Sequence, residues 1–367
     1  MEGGLANIGY NGIINKGNYA ILGEIIQAMT GKAEDLINKA YESLKGGDAD
    51  SAMRFLKDAL EIDFEHAEVM YALKCLNWWF EKIKRLDDFY DPYEQGGYIL
   101  SQWESYYGFL GRIVETVPQG HELSNGDALA KEAALTREAV DSCQYAIKRF
   151  VFSRAFTYFA ALLKDGANNQ DPLLLLQAGR CRKGAGDWEE AQDYLEQASR
   201  LKREDSAILS QLADTKALLG DERVAKVLFR EAFFLDPLGV DLSAMESEMI
   251  IRLIDRVREL GHKENELAEW IPVWGYIWRV FSVKRELKPV ELGRLKQAIH
   301  SLENEYRTKN SEDSTWASYV KPRLLNRYFW LMDHCEHNRD SSALLDETML
   351  KIKFIDRVLY DKITGVT

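Results

Sequence analysis

Proline is scarce in this chain, with seven residues in 367, and most of them lie at helix edges. Pro92, Pro172 and Pro289 follow Asp91, Asp171 and Lys288, the place where proline opens a helix rather than breaking one. Cysteine is rarer still. Cys75, Cys143, Cys181 and Cys335 are widely spaced and form no CxxC pair. Each lies in an apolar-periodic stretch, so free thiols acting as small core hydrophobes in a reducing compartment are expected. No apolar run reaches the roughly 18 residues of a membrane span. Met1–Asn11 lacks a basic segment followed by an apolar core, so it does not read as a signal peptide. A cytoplasmic protein is expected, or a periplasmic one if an export signal precedes Met1 in the gene. Positive charge is in deficit, giving a net charge of −12. An acidic surface repels phosphate, so nucleic acid and anionic membrane are not expected as partners.

Catalytic and metal motifs are missing as well. No HExxH, GxSxG or GxxxxGK[ST] sequence occurs, and no catalytic residue or cofactor site is assigned. Gly179–Gly186 is rich in glycine, but helix packing and termination explain those glycines. His334 and His337 stand one turn apart and suit a metal by type, yet two imidazoles do not complete a site. They read as a solvated helix end, with no metal expected. Strand-type alternation is absent too. Helical periodicity runs from about Gly17 to the end, and aromatics reach 11% with nine Trp, so the chain is expected to be folded and all-α.

What the chain does contain is a repeat. Leu175, Gly179, Gly186, Asp187, Ala191, Leu195, Ala198 and Leu201 are echoed 34 positions on by Leu209, Ala213, Gly220, Asp221, Ala225, Phe229, Ala232 and Leu235. Gly–Asp steps at 186–187 and 220–221, and similar ones at 46–48 and 126–127, suit one helix ending and the next being capped. The small residues let two helix backbones approach, while Leu195 and Phe229 fill the gap to the next unit. The period and these slots resemble the tetratricopeptide repeat. The resemblance is carried by units at 172–205 and 206–239, the second ending in Asp236–Pro237. Weaker units are read at 136–169, from Cys143, Ala155, Phe159 and Leu162, and at 33–66, from Ala40, Gly47, Ala52, Leu56 and Ala59.

The resemblance implies a solenoid of antiparallel helix pairs whose concave face binds a protein or peptide. By the family's groove-facing positions, that face would carry Arg137, Val140, Gln144 and Lys148 from the first unit. It would carry Leu173, Leu176, Arg180 and Lys183 from the second, and Asp214 from the third. Arg137, Lys148, Arg180 and Lys183 then make either a positive wall for an acidic segment or ordinary surface charges. The terminal-carboxylate clamp of some family members is not reproduced.

The expected organisation is 1–66 with a degenerate unit, 67–135 as inserted aromatic-rich helices, 136–239 as repeats, and 240–367 as long non-repeat helices packed on the solenoid. Those helices are expected near 242–260, 264–286, 289–308, 312–338 and 341–363, and they also suit self-association into a homo-oligomer. The stripe Trp270, Trp274, Trp278 and Phe281 reads as a core face. Tyr90, Tyr93, Tyr98, Tyr106 and Tyr107 of the insert serve either an interface or packing. The function expected is a protein-interaction scaffold or adaptor. The alternatives are a ligand-binding accessory of a transport or envelope system with an aromatic-lined cavity, and a helical enzyme, for which no acid–base or metal cluster is seen.

Overall fold

Aspartates open the helices. Asp48 accepts from Ser51 N at 3.0 Å, Asp171 from Leu173 N at 2.8 Å, Asp205 from Ile208 N at 3.0 Å and Asp221 from Val224 N at 3.3 Å. Each satisfies a backbone donor that the first turn leaves orphaned. The computed structural model describes residues 16–114, 135–164, 170–281, 286–309, 314–337 and 342–365, and among these there is no strand. The Gly126–Asp127 step and the loop after Pro118 lie outside the described residues. Asp187 departs from the capping expectation: its carboxylate takes Arg182 Nη1 at 3.1 Å instead of the helix start.

The chain divides into two compact units, Met1–Tyr158 and Phe159–Thr367. The first contains α1 (Lys16–Lys45), α2 (Ala49–Ile62), α3 (Ala67–Ile83) and α4 (Pro92–Val114). It also holds most of α5 (Arg137–Leu163). Ala33, Ala40, Ala52, Leu56 and Ala59 are fully buried where α1 meets α2. The insert is split between packing and exposure. Tyr106 is buried among Trp78, Trp79, Trp103 and Phe109, whereas Tyr90, Tyr93 and Tyr107 are exposed. The unit expected at 136–169 is not a helix–turn–helix, because α5 runs through it unbroken. At the register of Gly186–Asp187 it carries Phe150–Val151, both buried, which neither terminate nor cap a helix.

The second unit begins with two helix–turn–helix pairs, α6 (Pro172–Ala185) with α7 (Trp188–Leu201), and α8 (Ser206–Leu218) with α9 (Glu222–Leu235). The helices of each pair pack on one another, and α7 packs on α8. Gly186 and Gly220 both take φ +85°, the left-handed turn that ends α6 and α8 cheaply only in glycine. The slots expected to be small are fully buried: Ala191, Ala198, Ala225 and Ala232. A Cβ on Gly179 would meet Leu195 Cγ at 2.6 Å, so that slot is closed to any larger residue without a shift. Ala225→Leu is therefore expected to destabilise by roughly 1–3 kcal/mol through overpacking. Thermal melting checks this, and an unchanged Tm would remove close approach as the reason for the slot.

Beyond Pro237 follow α10 (Glu248–Glu259), α11 (Leu267–Ile277), α12 (Pro289–Lys309), α13 (Ser314–His337), α14 (Ser342–Ile355) and α15 (Arg357–Thr364). They share a core with the second pair, in which Phe229 and Phe233 are buried together with Ile250, Trp270, Phe281, Leu324 and Phe329. α13 also ends α9: Asn326 Nδ2 donates to Phe233 O at 3.2 Å and Arg327 donates to Phe234 O, serving carbonyls the last turn leaves open. The helix expected over 264–286 stops at Ile277, and the chain turns back so that Phe281 N bonds Gly275 O at 3.0 Å. Trp270, Trp274 and Phe281 are buried, as a core face should be, whereas Trp278 is only half-buried.

His262 stacks on Trp270 with ring centres 4.4 Å apart and accepts from Trp274 Nε1 through Nε2 at 3.1 Å. Burial pulls this imidazole below its ordinary value; Glu266 opposes the shift and Lys321 adds to it. The folded protein therefore takes up the proton at lower pH than the unfolded chain does. The stability this imidazole contributes is full above pH 6.5 and is lost as the pH drops below it. We expect Tm to decline over that acid range, and His262→Gln to flatten the decline. Equal slopes for the two proteins would overturn the assignment.

Candidate functional site

Three of the nine expected groove residues come together, and they do so beneath the chain's own backbone. Arg180 and Lys183 lie one turn apart on α6, and Asp214 lies on α8. Lys183 is 2% exposed and Asp214 is 0% exposed. Lys183 Nζ donates to Asp214 Oδ2 at 2.6 Å, to Gln211 Oε1 at 2.6 Å and to Ala244 O at 2.7 Å. All three ammonium protons are thus used. Asp214 in turn accepts from Glu246 N at 2.9 Å and Ser247 N at 2.8 Å. Arg180 Nη2 pairs with Asp241 at 2.8 Å.

The local sequence explains this arrangement. After Asp236–Pro237 the chain makes two short 3-10 turns, Pro237–Gly239 and Leu242–Ala244, before α10 begins. That path lays the backbone of 241–247 over α6 and α8. The segment brings two N–H donors to the carboxylate and one carbonyl to the ammonium. Lys183 and Asp214 are therefore not an open binding wall. Their charges are consumed in anchoring the segment that covers them.

The remaining candidates fall elsewhere. Leu176 is buried with Leu175, Leu195, Ala198, Ile208 and Leu212 in the core between the two pairs, whereas Leu173 is 47% exposed. Arg137 is exposed and pairs with Asp141 at 3.8 Å. Val140 and Lys148 are half-buried on α5, where Lys148 lies over the Phe152 ring at 6.0 Å. Gln144 turns inward, its Nε2 donating to Tyr71 Oη at 2.9 Å. Arg137 and Lys148 belong to the first unit, Arg180 and Lys183 to the second.

The cysteines and His334 lie in the interior. The four cysteines are free and buried. Burial pushes the Cys181 thiol above its ordinary range, which keeps it unreactive at neutral pH. His334 is buried, not solvated, and its Nδ1 accepts from Leu287 N at 3.1 Å. Among the described residues no group of three or more His, Cys, Asp or Glu is placed to hold a metal ion, and no helix is long and apolar enough to cross a membrane.

Sequence reasoning missed two features of the second unit. One is a cleft of about 490 Å3 lined by Lys226, Arg252, Arg256, Trp278 and Arg279. The other is a more apolar cleft of about 580 Å3 lined by Leu228, Phe234, Leu235, Leu295 and Trp330. Neither has a motif: each is assembled from helices far apart in the chain. No family model matches this chain, and no curated protein is similar to it at a significant level.

Proposed function

We propose that the protein is a non-enzymatic interaction scaffold of tetratricopeptide-like type, an α-solenoid of antiparallel helix pairs that binds a protein or peptide partner. The observation that carries this reading is the 34-residue recurrence of α6–α7 in α8–α9, with Ala191, Ala198, Ala225 and Ala232 all fully buried in equivalent slots. Units of this kind stack and offer extended surface, which suits recognition better than chemistry. In this chain the face formed by α6 and α8 is covered by residues 241–247, so a partner would use another surface of the scaffold. The test is affinity capture with the intact chain from its native organism, followed by reconstitution from purified components. A stoichiometric complex in analytical ultracentrifugation is expected. Failure of every captured protein to re-form a complex would overturn the reading.

A second reading, a ligand-binding accessory, is favoured by the 580 Å3 cleft beside Phe234 and Trp330. Clefts of that size and apolar character suit a small molecule. Native mass spectrometry of the freshly purified chain separates the readings: a retained small molecule favours the accessory.

A further inference from the structure

We propose that the cleft between α9, α10 and the turn after α11 is a docking site for an acidic, partly apolar peptide segment of a protein partner. This inference rests on the scaffold reading and locates its contact surface. The first support is charge. Lys226, Arg252, Arg256 and Arg279 line the cleft against two carboxylates, Glu222 and Glu248. The carboxylates are already used, because Glu222 pairs with Lys226 at 3.4 Å and Glu248 with Arg252. Arg256 and Arg279 have no carboxylate partner among the described residues, and both are exposed. Two unanswered guanidiniums in a chain of net charge −12 form a local inversion of sign, which steers and orients an acidic partner. Guanidinium also matches carboxylate geometry bidentately.

The second support is backbone conformation. Arg279 has φ +58° and is the one non-glycine with positive φ among the described residues. It stands just past the end of α11, where glycine or asparagine would sit at lower cost. An arginine held there gives up stability to present its side chain, a pattern found where side chains meet ligands. The third support is the buried end of the cleft. Ser247 is 3% exposed, and its Oγ has no hydrogen-bond partner among the described residues. It occupies the N-cap position of the twelve-residue α10 without bonding the first-turn amides, and the helix dipole adds positive potential there.

The floor decides the class of occupant. Met249, Leu253, Trp278 and Val280 give the cleft apolar walls, which a bare anion would leave unused. Trp278 is not a free stacking platform for a nucleotide base. Arg256 lies over it at 4.0 Å and Trp274 stacks with it at 4.9 Å. A segment alternating carboxylates with apolar side chains satisfies both the rim and the floor.

The test uses the full chain and a fluorescein-labelled peptide of alternating Glu and Leu, read by anisotropy. Its Gln/Leu counterpart and inorganic pyrophosphate serve as controls. The Glu/Leu peptide is expected to bind, and to bind more weakly as salt rises. Arg279→Gly is expected to keep or raise Tm, because it relieves the positive φ, while weakening binding several-fold. Arg256→Gln with Arg279→Gly is expected to weaken it by about 10-fold or more. Equal affinity of the double variant and the parent overturns the proposal, as does equal binding of the Gln/Leu peptide. Binding of pyrophosphate without the Glu/Leu peptide overturns it in favour of a small-anion site. The reconstituted partner complex separates the two readings. If it survives the double variant, the scaffold stands and this docking site falls. If no partner re-forms a complex, the scaffold falls, and the anisotropy result still judges the cleft.

Discussion

Asp214→Ala is expected to cost about 3–5 kcal/mol, the loss seen when one member of a buried ion pair is removed. The reason is that the substitution leaves the Lys183 ammonium buried without its counter-charge, since Lys183 is 2% exposed. Gln211 Oε1 and Ala244 O remain as acceptors, but neither carries a charge. The same change strips Glu246 N and Ser247 N of their acceptor. At roughly 2–4 °C per kcal/mol for a unit of this size, Tm should fall by about 10 °C. Amide exchange at Glu246 and Ser247 should accelerate more than elsewhere. A Tm within a degree or two of the parent would sink the idea that this network holds the covering segment in place.

The double variant Lys183→Met with Asp214→Leu sharpens the point. Replacing a buried pair by apolar residues of similar volume is often neutral or stabilising. Here it should not be, because the pair also serves backbone groups. Ala244 and Glu246 are half-exposed and can turn to water, but Ser247 is buried. Its orphaned N–H should leave a residual cost of about 1–3 kcal/mol. The pair is then an anchor for backbone rather than an end in itself.

That distinction also marks how far the sequence could be read. Helix starts at Pro172, Ser206 and Glu222 were legible because their cues are local: an aspartate just before each, and a glycine with φ +85° closing α6 and α8. The same small-residue slots at 136–169 misled, since spacing without a breaker at Phe150–Val151 gives one long helix. The face holding Arg180, Lys183 and Asp214 was legible from the family's helix positions. What covers it was not, because apart from the Asp241–Arg180 pair the covering contacts are backbone atoms of Ala244, Glu246 and Ser247, which any sequence possesses. The end of α11 was hidden for a related reason. Ile277–Val280 contain no glycine or proline; the turn follows from Phe281 seating its ring where a Cβ on Gly275 would lie, 2.4 Å away. Phe281 also packs on Phe229 and Phe233 of α9, so the turn, and with it the position of Arg279, rests on contacts far apart in the chain.

Arg230→Met should destabilise the second unit as strongly as Asp214→Ala, by about 3–5 kcal/mol, but its double variant should behave in the opposite way. Arg230 on α9 and Asp333 on α13 form an ion pair, 6% and 2% exposed. The guanidinium also lies over Trp330, 4.5 Å from the ring centre, and 5.7 Å from that of Tyr276. Losing the arginine strands the Asp333 carboxylate and removes a stack worth up to about 2 kcal/mol. A cleft of about 380 Å3 lined by Tyr276, Asp333, Glu336 and Lys362 lets water approach the stranded charge, which favours the lower end of the range. Arg230→Lys keeps the charge but not the planar stack, so it should cost less than Arg230→Met. Among the described residues Asp333 accepts no backbone N–H, unlike Asp214. Arg230→Met with Asp333→Leu should therefore recover most of the single variant's loss, because it removes both charges and orphans no donor of the main chain. Urea unfolding followed by far-ultraviolet circular dichroism would read all three variants without relying on Trp330 emission. A double variant as unstable as Arg230→Met would mean that the stack and the filled volume, rather than the stranded carboxylate, carry the cost.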